Sequence, residues 1–114
     1  MGKIDLLQGN LEMMILRVLS NVEDHGWGIA QRIHVLSREA LKIEEGSLYL
    51  ALYRMERKGW VKSEWDKSDN NRRARYYTLT KAGRKRLETQ VSTWDQLCAA
   101  IGSVMKGASN QARE

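Results

Sequence analysis

Basic side chains are the groups in this sequence whose types and spacing carry chemistry. Twelve of them, Arg54, Arg57, Lys58, Lys62, Lys67, Arg72, Arg73, Arg75, Lys81, Arg84, Lys85 and Arg86, fall between residues 54 and 86. Only Glu56, Glu64, Asp66 and Asp69 oppose them, so this third of the chain carries +8. The remainder holds seven basic and ten acidic residues and carries −3. An even scatter would make only a soluble basic protein, whereas this polarised one makes a surface for a polyanion whose counterions leave on contact. Arg72, Arg73 and Arg75 put three guanidiniums into four positions, where they repel one another unless an anion lies close. Catalysis has no comparable cluster. His25 and His34 stand nine residues apart, without carboxylate or cysteine at metal-ligand spacing. A phosphate-cradling glycine loop and a nucleophile elbow are both missing. The chain therefore reads as a non-enzyme without metal or cofactor, with His25 in a connection and His34 on an exposed helix face.

Elements must position those cations. From Gly46 to Thr80 the order is helix, strand, arginine-loaded tip, strand. Leu48, Ala51, Leu52 and Met55 form the core seam of a third helix over 46–58, which Gly59 ends as a C-cap. On its other side project Leu50, Tyr53 and Arg57, flanked by Ser47, Tyr49 and Arg54. Strands are expected over 60–65 and 73–79, joined by the turn-rich stretch 66–71. Alternation puts Arg73 and Arg75 on one strand face and Arg72 at the tip. A helix followed by a basic hairpin is the layout of a winged helix-turn-helix, which lays its third helix in the DNA major groove. On that layout Ser47 and Tyr49 donate to phosphates or bases, Leu50 touches a thymine methyl, and Tyr53 and Arg54 reach backbone or guanine. Arg72, Arg73 and Arg75 follow phosphates or enter the minor groove. Rim packing is the alternative for the two tyrosines, and a solvated face for Arg54 and Arg57.

Upstream, residues 1–9 read as a short arm with Leu6 and Leu7 able to dock. A first helix is expected to start with Asn10 as N-cap and Glu12 in its first turn, burying Leu11, Met14, Ile15 and Val18. The stretch 21–26 is a polar connection, and a second helix over 27–37 turns Ile29, Ile33 and Leu36 inward. Leu41 to Ile43 alternates like a short strand. Downstream, Thr80 caps a final helix in which Leu87, Val91, Trp94, Cys98, Ile101 and Met105 recur at intervals of 4, 3, 4, 3 and 4. That is the seam of helices packing in coiled-coil fashion. It either docks on its own domain or pairs across a two-fold axis, and pairing is the preferred reading. Trp94, mid-seam, either fills the dimer core or forms an apolar slot for a small planar aromatic effector. The fold class is mainly α with a small β-hairpin. A winged helix-turn-helix domain occupies 1–80, a dimerisation helix 81–106, and a disordered tail 107–114.

At 114 residues with 42% hydrophobic side chains the chain supports one domain with a modest core, so further burial in an oligomer is expected. Net charge +5 favours anionic partners. No apolar run approaches the roughly 20 residues that span a bilayer. Asp5, Gln8, Asn10 and Glu12 interrupt any secretory apolar segment in the first twenty residues. One cysteine, Cys98, precludes an internal disulfide and fits a reducing cytoplasm.

Four segments, in order, carry a likeness: "LLQGNLEMMILRVL", "HGWGIAQRI", "EGSLYLALYRMERKGWV" and "NRRARYYTLTKAGRKRL". Together they resemble the PadR family of winged-helix bacterial transcriptional regulators, in the smaller branch with one C-terminal helix. Leu50 stands where members often have proline, Trp27 where they have tyrosine, and Asn71 where glycine opens the wing. The first two bear on base preference or phosphate contacts, while Asn71 tolerates a left-handed backbone. The resemblance implies a cytoplasmic homodimeric repressor on a pseudo-palindromic operator of double-stranded DNA. Two other readings compete, a protein-interaction module on the same fold and a duplex binder without an operator.

Overall fold

A computed structural model describes residues 8–67 and 73–112. The order is α1 (Gln8–Leu19), β1 (Asp24–His25), α2 (Gly26–Leu36), α3 (Glu45–Arg57), β2 (Val61–Lys67), β3 (Arg73–Leu79) and α4 (Lys81–Ala112). The strands form one antiparallel sheet in the order β1-β3-β2. Leu11, Ile15 and Leu16 of α1, Ile29 and Ile33 of α2, and the Leu48–Ala51–Leu52–Met55 seam of α3 meet in the core. Val61, Tyr77 and Leu79 close it from the sheet, and Leu87 from α4. No described helix is long and apolar enough to cross a membrane.

The expected architecture is present, with local corrections. The helix α1 begins at Gln8, so Asn10 lies inside it instead of capping it. Glu12 is not a first-turn surface carboxylate. It is 3% exposed, on the face that packs toward α3. The polar connection contains β1, because Asp24 and His25 pair with Tyr77 and Tyr76. Leu41 to Ile43 forms no strand; Leu41 and Ile43 pack against the core from an irregular segment. Leu36 is 70% exposed, since α2 has passed the edge of the core at its last residue. The chain then turns through Arg38 and Glu39 with positive φ, 56° and 66°, steadied by Ser37 Oγ, which accepts from the Leu41 amide.

Gly59 ends α3 as expected, with φ +80°. Its amide bonds the Glu56 carbonyl and the Trp60 amide bonds that of Met55, the paired pattern of a Schellman motif. The strand β2 therefore starts at Val61 and continues to Lys67, beyond the expected limit at 65. Thr80 caps α4 through Oγ1, which accepts from the Gly83 amide at 3.0 Å. Where a tail over 107–114 was expected, α4 continues to Ala112. Of the arm expected over 1–9, Gln8 and Gly9 belong to α1; residues 1–7, with Leu6 and Leu7, and the final residues 113–114 lie outside the described residues.

Candidate nucleic-acid interface

The buried seam of α3 fixes which of its side chains face outward. Leu48, Ala51, Leu52 and Met55 point into the core, which leaves Ser47, Leu50, Tyr53 and Arg57 exposed on the opposite side. Arg57 lies over the Tyr53 ring, 5.7 Å from its centroid, a cation–π contact that orders both side chains. Tyr49 sits at the edge of this face. Its ring lies across Gly26 at the start of α2, so close that a β-carbon there would come within 2.7 Å of it. Burial first, and the Glu45 charge second, push the Tyr49 phenol up. Gly26 and Tyr49 thus set how near α2 comes to α3.

Arg54 is placed differently from the other candidates on α3. Its Nε lies 3.4 Å from Glu12 Oε2, on the flank that faces α1. A carboxylate taken out of water needs a counter-charge, and Arg54 supplies it. Instead of projecting with Leu50 and Tyr53, Arg54 ties α3 to α1.

Register decides which way the wing's cations face. Val61, Ser63, Trp65 and Lys67 of β2 oppose Leu79, Tyr77, Arg75 and Arg73 of β3. Period-2 alternation puts these eight on one face of the hairpin. At its base that face is core; halfway along, it meets α3. Ser63 Oγ donates to Glu56 Oε2 at 2.8 Å, Arg75 Nε donates to Ser63 Oγ at 2.7 Å, and Arg75 Nη2 lies 3.5 Å from the same carboxylate. Further out, the Arg73 and Arg75 guanidiniums stand 5.0 and 5.8 Å from the centre of the Trp65 ring. Arg73 and Arg75 therefore share one face, and Arg75 ties that face to α3. Arg72 and Asn71 lie outside the described residues.

Several residues outside the expected set hold this surface together. His25 Nδ1 accepts from the Gly28 amide at 3.0 Å and so caps α2, while its ring meets Tyr76 edge-on at 5.3 Å. His34 is not a free surface residue, since its Nδ1 lies 3.1 Å from the Leu41 carbonyl oxygen. Lys58 Nζ and Arg86 Cζ stand 4.7 and 4.8 Å from the Trp60 ring centre, which joins the end of α3 to α4. Trp65, Glu56 and Ser63 are the contributors that strand spacing alone overlooks. The signal for Trp65 and Ser63 was their place on the strand face that carries Arg75, readable once a register is assumed; Glu56 on α3 gave none.

The seam of α4 divides in two. Leu87 is buried and Val91 half-buried, packed on the chain's own core. Trp94, Cys98, Ile101 and Met105 are exposed, with Leu97 and Val104 widening the uncovered stripe. Docking on its own domain therefore accounts for the start of the seam, and the rest is left uncovered in the single chain.

The chain is similar to known proteins in sequence and in fold. The profile of the transcriptional regulator PadR-like family matches residues 15–89. An uncharacterized protein of Lysinibacillus sphaericus is 30% identical over 108 residues, which cover 94% of this chain and 98% of that one. A transcriptional regulator from Clostridium thermocellum has a similar structure, with a TM-score of 0.77 and 27% identity over 84% of this chain and 93% of its own. A PadR family transcription regulator from hypervirulent Clostridium difficile superposes with a TM-score of 0.72 at 30% identity, over 83% of this chain and 97% of its own.

Proposed function

The chain belongs to the PadR-like family of transcriptional regulators, and we propose that it is a homodimeric repressor that reads a pseudo-palindromic operator. One observation carries this proposal: Glu56 of α3 is linked through Ser63 and Arg75 to the wing face that bears the arginines. With α3 in the major groove, Ser47, Tyr49, Leu50 and Tyr53 meet base edges and flanking phosphates, Leu50 as the apolar partner of a thymine methyl. Arg73 follows the backbone or the adjacent minor groove beside them, with Arg72 next to it in sequence. The exposed half of the α4 seam pairs with its copy across a two-fold axis, so that two reading heads meet two half-sites. An apolar stripe from Trp94 to Met105 open to water in the single chain supports that pairing. Trp94 is then the residue against which a planar aromatic effector would lie, altering the separation of the heads. A cytoplasmic location accords with this role.

Gel-shift competition with the DNA upstream of the protein's own gene tests the reading. Preference over an unrelated duplex of equal length by about a thousandfold or more is expected of an operator-specific protein. Equal affinity for any duplex would overturn it. For the effector, titrating tryptophan fluorescence with planar aromatic compounds should produce saturable quenching; its absence at every concentration would remove that part.

A further inference from the structure

Trp65 has no part in the reading above, yet it occupies the middle of the wing's cationic face. It is 56% exposed, a large apolar ring left in water on an arm that offers it no core. Two guanidiniums approach it, Arg73 at 5.0 Å and Arg75 at 5.8 Å from the ring centre. Arg75 is its cross-strand partner, and Arg73 is the next residue on the same face. Like charges so close repel, and the negative face of the indole offsets that repulsion. Arg75 is held from its other side as well, by Ser63 Oγ and the Glu56 carboxylate on α3. The two arginines therefore do different things. Arg75 braces the arm against α3, while Arg73 is joined to that brace through the indole.

The geometry points to Trp65 as a positioning residue for the DNA complex. It holds the Arg73 guanidinium at a set place relative to α3, ready for a phosphate or the minor groove. A planar guanidinium resting on a ring keeps its N–H edges free in its own plane, so stacking and phosphate binding are compatible. The flexibility that an unstacked arginine would lose on binding is lost before DNA arrives. This inference rests on the proposed DNA-binding role.

The test compares Trp65→Phe, which keeps an aromatic face, with Trp65→Met, which keeps a comparable apolar side chain without one. Affinity for the upstream DNA is measured across a salt series, with melting temperatures alongside. W65F should bind within about threefold of wild type with the same dependence of log affinity on log salt. W65M should bind about tenfold more weakly, with a slope shallower by roughly one unit, since one phosphate contact is no longer held. Both should melt with wild type, because Trp65 is not core. Trp65→Leu repeats the comparison with a second side chain that lacks an aromatic face, so a folding defect in one variant does not decide it. Agreement of W65M and W65L with W65F in affinity and slope would overturn the assignment, as would weaker binding at an unchanged slope. A wild type that binds no duplex would overturn the DNA-binding reading itself, and the role of Trp65 with it.

Discussion

Replacing Gly83 by alanine tests how α4 is fastened to the wing. The Gly83 α-carbon lies against the Trp60 carbonyl, and a β-carbon there would collide with that oxygen and come within 2.7 Å of a Leu79 methyl. The oxygen has nowhere to retreat. It accepts from the Thr80 amide and lies 3.0 Å from Thr80 Oγ1, and the Trp60 amide is itself bonded to Met55. Relieving the collision means moving α4 by roughly 1 Å, beyond the range over which packed atoms keep their contacts. That loosens two hydrogen bonds at about 1 kcal/mol each, and the overpacking itself costs about 1–3 kcal/mol. The intrinsic gain of alanine over glycine in a helix, about 1 kcal/mol, offsets part of this. The net expectation is a loss of about 2–4 kcal/mol, or a melting temperature lower by about 8–16 °C. Gly107 in the same helix is the control, since nothing lies within 4 Å of a β-carbon there. Gly107→Ala should stabilise the protein by about 0.5–1 kcal/mol. Thermal melts of both variants at one protein concentration give the comparison, concentration being fixed because self-association makes melting depend on it. A G83A protein that melts with or above wild type would refute the reasoning.

The Glu12–Arg54 pair should be asymmetric. Arg54→Ala leaves a carboxylate buried without its cation and should cost about 3 kcal/mol, whereas Glu12→Gln leaves a one-third exposed arginine that can turn to water and should cost about 1 kcal/mol. Equal losses in urea denaturation would contradict this account. Tyr77 should make the fold alkali-sensitive, because burial raises its phenol above the ordinary value against the opposing Arg75 charge, with Glu56 and Tyr49 adding to the rise. The folded state holds that proton more tightly than the unfolded chain does, so the contribution is intact below about pH 10 and is lost as pH rises through the folded pKa. Urea melts across that range should show a smaller alkaline loss for Tyr77→Phe than for wild type, and identical losses would clear Tyr77 of the effect. Ile101→Asp, at a half-exposed position on the uncovered stripe, should leave the single chain folded and abolish dimers in sedimentation. A dimer that persists would move the interface elsewhere.

What the sequence made legible was whatever local spacing determines. The strand β3 begins at Arg73 and ends at Leu79 as alternation predicts, and the apolar seam of α3 orients the same outward residues that periodicity singles out. Gly59 and Thr80 act as the stop and start signals they resemble, because each does its work within a few residues of itself. What stayed hidden depends on distant partners. Asp24 and His25 have no strand pattern of their own, and only pairing with Tyr77 and Tyr76 makes them β1. Glu12 resembles an ordinary first-turn acid until Arg54, forty-two residues away, arrives to neutralise it. The same contact alters Arg54 itself. Its place in α3 suggests DNA, but the buried carboxylate determines where its Nε points. Leu36 has the helical phase of a core residue, and nothing in the spacing shows that the core ends before it.

The account depends on α3 and the wing meeting a single stretch of duplex together. Chemical footprinting of the wild-type protein on the DNA upstream of its gene measures this directly. Guanine N7 methylation reports the major groove, and hydroxyl-radical cleavage of the sugars reports the neighbouring minor groove. Each half-site should show a protected major-groove patch with a protected minor-groove stretch beside it, the half-sites lying about one helical turn, or a multiple of it, apart. Protection of one groove without the other, or no localised protection on DNA that the protein binds, would contradict it.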